Sequence, residues 1–166
     1  MILFWDTSAI VAAVQQEPHS DAARKAVAAA TCSFAWAWLK VEAESALGRR
    51  GATALQWAEL AKQLAALRFE HIPQEELSRL CSQNREWRLR AADAGHLFCF
   101  TRVAAVIPDV QLVTFDDEML AVARRLALPL WSPSPPATGR VREDAVAYQA
   151  RPPRRSKKAS PAPAPS

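Results

Sequence analysis

The sequence has little of what marks secreted or membrane proteins. It has only three cysteines, Cys32, Cys81 and Cys99, and none of them forms a CxxC spacing. An odd number of cysteines without a regular framework indicates reduced thiols, which we expect to be buried structural residues. The apolar N-terminus has no basic region, and Asp6 interrupts it after five residues. We therefore expect neither a signal peptide nor a membrane span, and a cytoplasmic protein.

Most of the chain also lacks a net positive charge. The net charge is +4, but seven of the 21 Lys and Arg residues and only two of the 17 acidic residues lie between 133 and 166. Residues 1–132 therefore have a charge near −1, and this part cannot be called basic. The segment 133–166 also holds eight of the 12 prolines. The composition predicts one globular domain over 1–132 and a disordered, Pro/Arg/Lys-rich tail over 133–166.

Apolar runs and helical periodicities alternate along residues 1–132, with no internal repeat. Strands are predicted at 2–5, 31–35, 67–72, 110–114 and 128–131. Helices are predicted at 9–16, 20–30, 38–50, 53–66, 74–88, 91–105 and 116–126. Thr7 and Ser8 are expected to cap the first helix. This alternation predicts an α/β fold with a mostly parallel central sheet that is flanked by helices.

Four acidic residues differ from the others in their context. Asp6 directly follows the first strand, and Asp116 closes the strand at 110–114. In a parallel sheet the carboxyl ends of the strands border one crevice, so both carboxylates should point into it. Glu42 lies in a helix of mostly apolar residues, and Asp93 opens another apolar helix. Each has an ordinary alternative: the three aspartates could be helix N-caps, and Glu42 a surface residue.

Clustered carboxylates have a specific chemical consequence. Several of them in one crevice repel each other, and their pKa values rise unless a cation compensates. Oxygen ligands suit Mg²⁺ or Mn²⁺, which keep several waters and bridge to substrate phosphates. Such a site can activate water and stabilise the leaving oxygen in phosphodiester hydrolysis, without a positioned His or Lys base.

Four segments in their order along the chain resemble a known family. They are Asp-Thr-Ser-Ala after the first strand, Val-Glu-Ala-Glu-Ser-Ala-Leu-Gly-Arg-Arg, Asp-Ala-Gly-His-Leu, and Leu-Val-Thr-Phe-Asp-Asp. Together they resemble PIN-domain ribonucleases, and in particular the VapC-type toxins of toxin–antitoxin pairs, over about residues 1–133. The resemblance implies a PIN-like α/β/α sandwich and a Mg²⁺- or Mn²⁺-dependent endoribonuclease. It also implies a homodimer, a cognate antitoxin partner and a transfer RNA or ribosomal RNA loop as substrate.

The resemblance also assigns residues to roles. Asp6, Glu42, Asp93 and Asp116 match the family's four acids and are predicted to be both catalytic residues and metal ligands. Two hydroxyl residues, Thr7 and Thr114, match positions that support the site. Arg49 and Arg90, with Arg50 and Arg88 nearby, are candidates for contacts with RNA phosphates or with antitoxin acids. A solvated helix face is an equally good interpretation of these arginines.

The chain departs from the family's pattern at two places. The segment Phe34-Ala35-Trp36-Ala37-Trp38 stands where the family usually has a Ser or Thr, and Gly95 and Phe98-Cys99-Phe100 replace a more usual Ala/Leu-rich run. Neither departure removes a predicted ligand. His96 lies one helical turn after Asp93. We expect it to be a structural residue rather than a metal ligand or a proton carrier.

The same residues are compatible in part with two other functions. A phosphatase of the haloacid-dehalogenase kind would use Asp6 as a nucleophile with a second acid two residues later, but Ser8 stands there. A second alternative is a catalytically silent PIN-like module that binds RNA or a partner, although all four acids are present.

Two further acids stand next to predicted ligands. Glu44 lies about 200° around the helix from Glu42 and should point elsewhere. Asp117 is expected to be an exposed acid at a helix start.

Overall fold

The computed structural model describes residues 1–133, and these form a four-stranded sheet. The strands are β1 (Ile2–Trp5), β2 (Cys32–Trp36), β3 (Arg68–Glu70) and β4 (Val110–Val113). Their order across the sheet is β3-β2-β1-β4, and every neighbouring pair is parallel. Strand β1 therefore lies between β2 and β4. The predicted α/β fold with a parallel central sheet is confirmed.

Seven α-helices connect and cover the strands of this region. They are α1 (Thr7–Val14), α2 (Ser20–Ala29), α3 (Trp38–Arg49), α4 (Ala54–Ala65), α5 (Leu77–Trp87), α6 (Ala91–Val106) and α7 (Asp117–Arg125), with a 3-10 turn at Gln74–Glu76 before α5. Arg88 ends α5 in the left-handed conformation, with φ of 58°. No helix in residues 1–133 is long and apolar enough to cross a membrane. The expected disorder of 133–166 concerns residues that, apart from Pro133, lie outside those described.

The side chains of β1 alternate between two apolar cores, one on each face of the sheet. Phe4 packs with Phe98 and Leu112 in a core that α5, α6 and α7 cover. Leu3 and Trp5 pack on the opposite face in a core that α1, α3 and α4 cover. All three β1 side chains are almost fully buried. The layers are therefore helix, sheet and helix, as the predicted sandwich requires.

The structure corrects three local predictions. Thr7 and Ser8 do not cap the first helix, because Asp6 is its N-cap and accepts a hydrogen bond from the Ser8 amide. The predicted strand at 128–131 is reduced to a single bridge between Leu112 and Leu130. Pro129 has no amide hydrogen to donate to a ladder, and only its carbonyl pairs with the Leu112 amide. The strand predicted at 67–72 is shortened to the three residues of β3.

The three cysteines differ in environment. Cys99 is buried in α6, and burial raises the pKa of its thiol to about 12. Cys32 is partly buried, as expected of a structural cysteine. Cys81 is exposed on α5, so the prediction of a buried structural residue is wrong there. None of the three forms a disulfide.

Candidate active site

The four predicted acids line one pocket at the carboxyl edge of the sheet. Its volume is about 660 Å³. Asp6 and Asp116 reach it from the ends of β1 and β4, while α3 and α6 contribute Glu42 and Asp93. Of the other predicted residues, Thr7, Arg49 and Arg90 also line the pocket. Thr114 lies behind it and contacts Asp6.

Asp6 is held rigidly by the start of α1 and the end of β4. Its side chain is only 3% exposed. The oxygen Oδ2 accepts hydrogen bonds from the Ser8 amide at 3.2 Å, the Ser8 hydroxyl at 2.5 Å and the Thr114 hydroxyl at 2.9 Å. The Ser8 hydroxyl also accepts a bond from the Phe115 amide. Ser8 therefore has a structural task at the position where a phosphatase of the kind considered above would need an acid.

Glu42 is fixed by two groups from other helices. The Thr7 hydroxyl on α1 donates to Oε2 of Glu42 at 2.7 Å. His96 on α6 lies with Nε2 at 2.7 Å from the same oxygen and at 3.1 Å from Oγ1 of Thr7. The predicted support from Thr7 is thus a direct contact with a predicted ligand. His96, which the sequence suggested only as a structural residue, touches the same acid.

The pKa values of Glu42 and His96 shift in the directions that favour their hydrogen bond. Burial alone would raise the pKa of Glu42, but hydrogen bonds from His96 and Thr7 and the nearby positive charges lower it overall. Burial alone would lower the pKa of His96, but the hydrogen bond to Glu42 and the charges of Asp6, Glu42 and Asp93 raise it overall. Both directions favour an ionised Glu42 carboxylate.

Asp93 and Asp116 are linked by one arginine. Arg90 Nε donates to Oδ2 of Asp93 at 2.9 Å, and its Nη2 donates to Oδ2 of Asp116 at 3.0 Å. Asp116 is also the N-cap of α7, through a 2.8 Å bond from the Met119 amide to Oδ1. Asp93 is not an N-cap, because it is the third residue of α6. Arg90, a candidate for RNA contact, thus binds two acids of the chain itself.

Burial and the neighbouring acids both disfavour the ionised form of Asp93. Burial and the charge of Asp116 raise the pKa of Asp93, and the charge of Asp6 adds to this. Arg90 opposes the rise without cancelling it. In return, Asp93 and Asp116 raise the pKa of Arg90. The Arg90 side chain is 70% exposed, so solvent and salt weaken its hold on the two acids.

The remaining predicted residues lie as follows. Arg49 lines the pocket from the last turn of α3 and forms no ion pair with any residue of 1–133. Arg50 lines it too, but pairs with Glu17. Glu44 lines a different groove, beside α4, as its position on α3 predicted. Asp117 is exposed at the start of α7, also as predicted.

The side chains of the pocket are of a kind that binds a hard divalent cation, although they are not arranged as a complete set of ligands. Within residues 1–133, no three His, Cys, Asp or Glu side chains are already grouped at metal-binding distances. Besides the four acids, the pocket is lined by the carboxylate of Glu17, the hydroxyls of Thr7, Ser8 and Ser45, and the imidazole of His19, so most of its possible donors are oxygens. Mg²⁺ is commonly held by one or two carboxylates and several waters, so widely spaced acids suit it. The raised pKa of Asp93 indicates negative charge that a cation would compensate.

Comparisons with known proteins agree with this architecture. The family model described as the PIN domain matches residues 3–125. A search of solved structures found the Mycobacterium tuberculosis toxin VapC20, described as cleaving the sarcin–ricin loop, with a TM-score of 0.53 and 23% identity. That match covers 72% of this chain and 93% of the toxin. A comparison with curated proteins found no significant match.

Proposed function

The chain belongs to the PIN-domain family, and on this premise we propose that it is a divalent-metal-dependent endoribonuclease. The observation that carries the proposal is the convergence of Asp6, Glu42, Asp93 and Asp116 on one pocket from four different elements. Ordinary structural roles explain only part of it, because two of these acids are N-caps but Glu42 and Asp93 are not.

The four acids would hold Mg²⁺ or Mn²⁺. When bound, the ion would supply a polarised phosphate and a water that is easier to deprotonate. The protein's own residues then have distinct tasks. Thr114 and Ser8 fix Asp6 through its Oδ2 atom, and Thr7 fixes Glu42. Arg49, which faces the pocket without an internal acid partner among residues 1–133, would bind an RNA phosphate.

The proposed biological role is that of a VapC-type toxin. The similarity to VapC20 supports this role through the fold, and the acids in sequence order support it through the resemblance. A toxin of this kind would act in the cytoplasm as a homodimer and would be inhibited by a cognate antitoxin. We propose a structured RNA loop, in ribosomal or transfer RNA, as the substrate class.

The proposal is tested with the purified full-length chain and total cellular RNA. We expect discrete fragments with Mg²⁺ or Mn²⁺ and none with EDTA. Asp6→Asn should lower cleavage by more than about 100-fold, since it removes a ligand rather than a group that orients one. Asparagine keeps an oxygen that can accept from Thr114 and Ser8, so the fold should persist. Asp117→Asn, an equal charge change on an exposed acid, should cleave like the wild type.

A different outcome would favour the silent binding module. RNA that stays intact under every condition while still binding the chain would contradict the nuclease proposal. The lack of three grouped ligands in residues 1–133 is the observation that keeps this outcome open. Equal activity of Asp6→Asn and wild type would locate any cleavage outside this pocket.

A further inference from the structure

His96 is the most enclosed polar side chain near the pocket. Its side chain is 1% exposed, yet the residue does not line the pocket itself. Its Nε2 atom contacts Glu42 and Thr7, and lies 3.9 Å from Oδ1 of Asp6. It thus lies beside Asp6 and Glu42 and links α6 to α1 and α3. Burying an imidazole costs free energy unless hydrogen bonds compensate, so the contacts of His96 matter for its position.

The hydrogen bonds of His96 require a proton on Nε2 of the ring. An ionised carboxylate only accepts hydrogen bonds, so a short contact with Oε2 of Glu42 requires a proton on Nε2 of His96. The single Thr7 hydroxyl hydrogen is used for Glu42, so the Thr7 oxygen, 3.1 Å from Nε2, can only be a second and weaker acceptor of the same Nε2 proton. Glu42 therefore receives two hydrogen bonds on one oxygen. In the described residues, the other oxygen, Oε1, has no hydrogen bond and can face the pocket.

The His96 ring is itself held by an unusual pair of residues. Trp36, at the end of β2, packs edge-on against it with ring centroids 5.2 Å apart and an interplanar angle of 82°. The indole occupies space that only a glycine leaves free: a Cβ added at Gly95 would lie 2.3 Å from Cζ3 of Trp36. No side chain could be tolerated there without moving Trp36. The two departures from the family pattern, Trp36 and Gly95, are thus in direct contact.

We propose that His96 is a positioning residue that orients the Glu42 carboxylate for metal binding, and that Trp36, seated on Gly95, fixes the His96 ring. The proposal rests on the proposed function insofar as Glu42 is a metal ligand. His96, Trp36 and Gly95 would each serve the site, although none of them is a predicted metal ligand. Groups that orient a ligand in this way change metal affinity by about 10- to 100-fold when they are removed.

The first experiment separates hydrogen bonding from packing at position 96. In His96→Gln the amide nitrogen can replace Nε2 as donor to Glu42, whereas His96→Leu fills the space without a donor. We expect His96→Leu to weaken Mn²⁺ binding, measured by calorimetry, by about 10- to 100-fold, and His96→Gln to restore most of the affinity. Thr101→Val on the same helix removes a hydroxyl that, among residues 1–133, bonds only to the Phe98 carbonyl, and this variant should bind Mn²⁺ normally. Equal losses in the Gln and Leu variants would overturn the proposal.

The second experiment tests the Trp36–Gly95 contact with a double-mutant cycle. Gly95→Ala should displace Trp36 and weaken Mn²⁺ binding, because the added Cβ collides with the indole. Trp36→Leu alone should also weaken it, since the ring loses its support. In the combined variant the alanine meets no indole, so the loss should be smaller than the sum of the two single losses. Strictly additive losses would overturn the role of this pair.

A third measurement keeps this proposal separate from the nuclease. Nitrogen NMR of the metal-free chain should show His96 with a proton on Nε2 that exchanges slowly with water. Gly95→Ala should speed up that exchange while leaving the protein folded by circular dichroism. A ring without a proton on Nε2 would overturn the positioning role even if RNA is cut. A chain that cuts no RNA but shows the slow proton would overturn only the proposed function.

Discussion

The acidic pocket has two halves that are held together in different ways. Asp6 and Glu42 form what we call the inner half, next to the enclosed His96, and it is held by short hydrogen bonds from His96 and from the hydroxyls of Ser8, Thr114 and Thr7. Asp93 and Asp116 form the outer half, which the exposed Arg90 joins. Hydrogen bonds between enclosed groups are screened little by salt, while an exposed ion pair is weakened by ions. The inner half is therefore preorganised, and the outer half is adjustable.

The largest difference between the halves should appear in protein stability without metal. Asp6→Ala removes the N-cap of α1 and leaves the buried Thr114 hydroxyl without its acceptor. We expect a loss of about 2–4 kcal/mol in the free energy of unfolding, the sum of a lost cap and an unsatisfied buried group. Urea unfolding in EDTA measures it. Asp93→Ala is the matched variant in the outer half and should change stability by less than about 1 kcal/mol. Equal losses would contradict the comparison.

The position of one acid in each half could be predicted from the sequence, because it follows a local rule. Asp6 and Asp116 follow parallel strands, and that rule alone places both at one edge of the sheet. The direction of Glu42 depends on how α3 packs, so only the family resemblance supplied it. The role of His96 could not be predicted, because it depends on Trp36 filling the space above Gly95. These residues lie far apart in sequence, and only tertiary packing brings them together.

One ion pair of the outer half has a signal in the sequence. Arg90 and Asp93 are three residues apart at the start of α6, a spacing at which an arginine and an aspartate commonly pair. That spacing favours an internal ion pair over a free phosphate contact. The second bond, to Asp116, required the fold, because β4 and the start of α7 place that acid beside α6.

The second prediction concerns metal binding at the outer half. Arg90 holds a positive charge between Asp93 and Asp116, so Arg90→Gln should strengthen Mn²⁺ binding rather than weaken it. The gain should be no more than about fivefold, since the side chain is exposed. It should shrink as salt increases, because ions screen the charge that is lost. Calorimetry at two salt concentrations measures both effects. Weaker binding by the variant would mean that Arg90 organises the acids instead of competing with the metal.

The third prediction separates the two pocket arginines. Arg49 faces the pocket without an acid partner in residues 1–133, whereas Arg90 is already paired. Arg49→Gln should raise KM for RNA and lower the slope of log affinity against log salt by about 1, as expected for one lost phosphate contact. Arg90→Gln should change that slope less. Lys40→Gln is the control, because Lys40 is on the same helix but lines another groove. An unchanged slope for Arg49→Gln would remove it from the RNA path.

The smallest expected effect is the dependence of the outer half on pH. Burial and the charges of Asp116 and Asp6 raise the pKa of Asp93 above its usual value, so its ionised form destabilises the folded state. That cost is present above the raised pKa and disappears as the pH falls below the ordinary value. Asp93→Asn should therefore stabilise the metal-free protein at pH 7, by less than about 1 kcal/mol, and have no such effect near pH 3. Thermal unfolding in EDTA across this range measures it, with the exposed Glu44→Gln as control. If Asp93→Asn instead destabilised the protein at pH 7 and this loss vanished near pH 3, the pKa of Asp93 would be lowered rather than raised. Arg90 would then already neutralise Asp93.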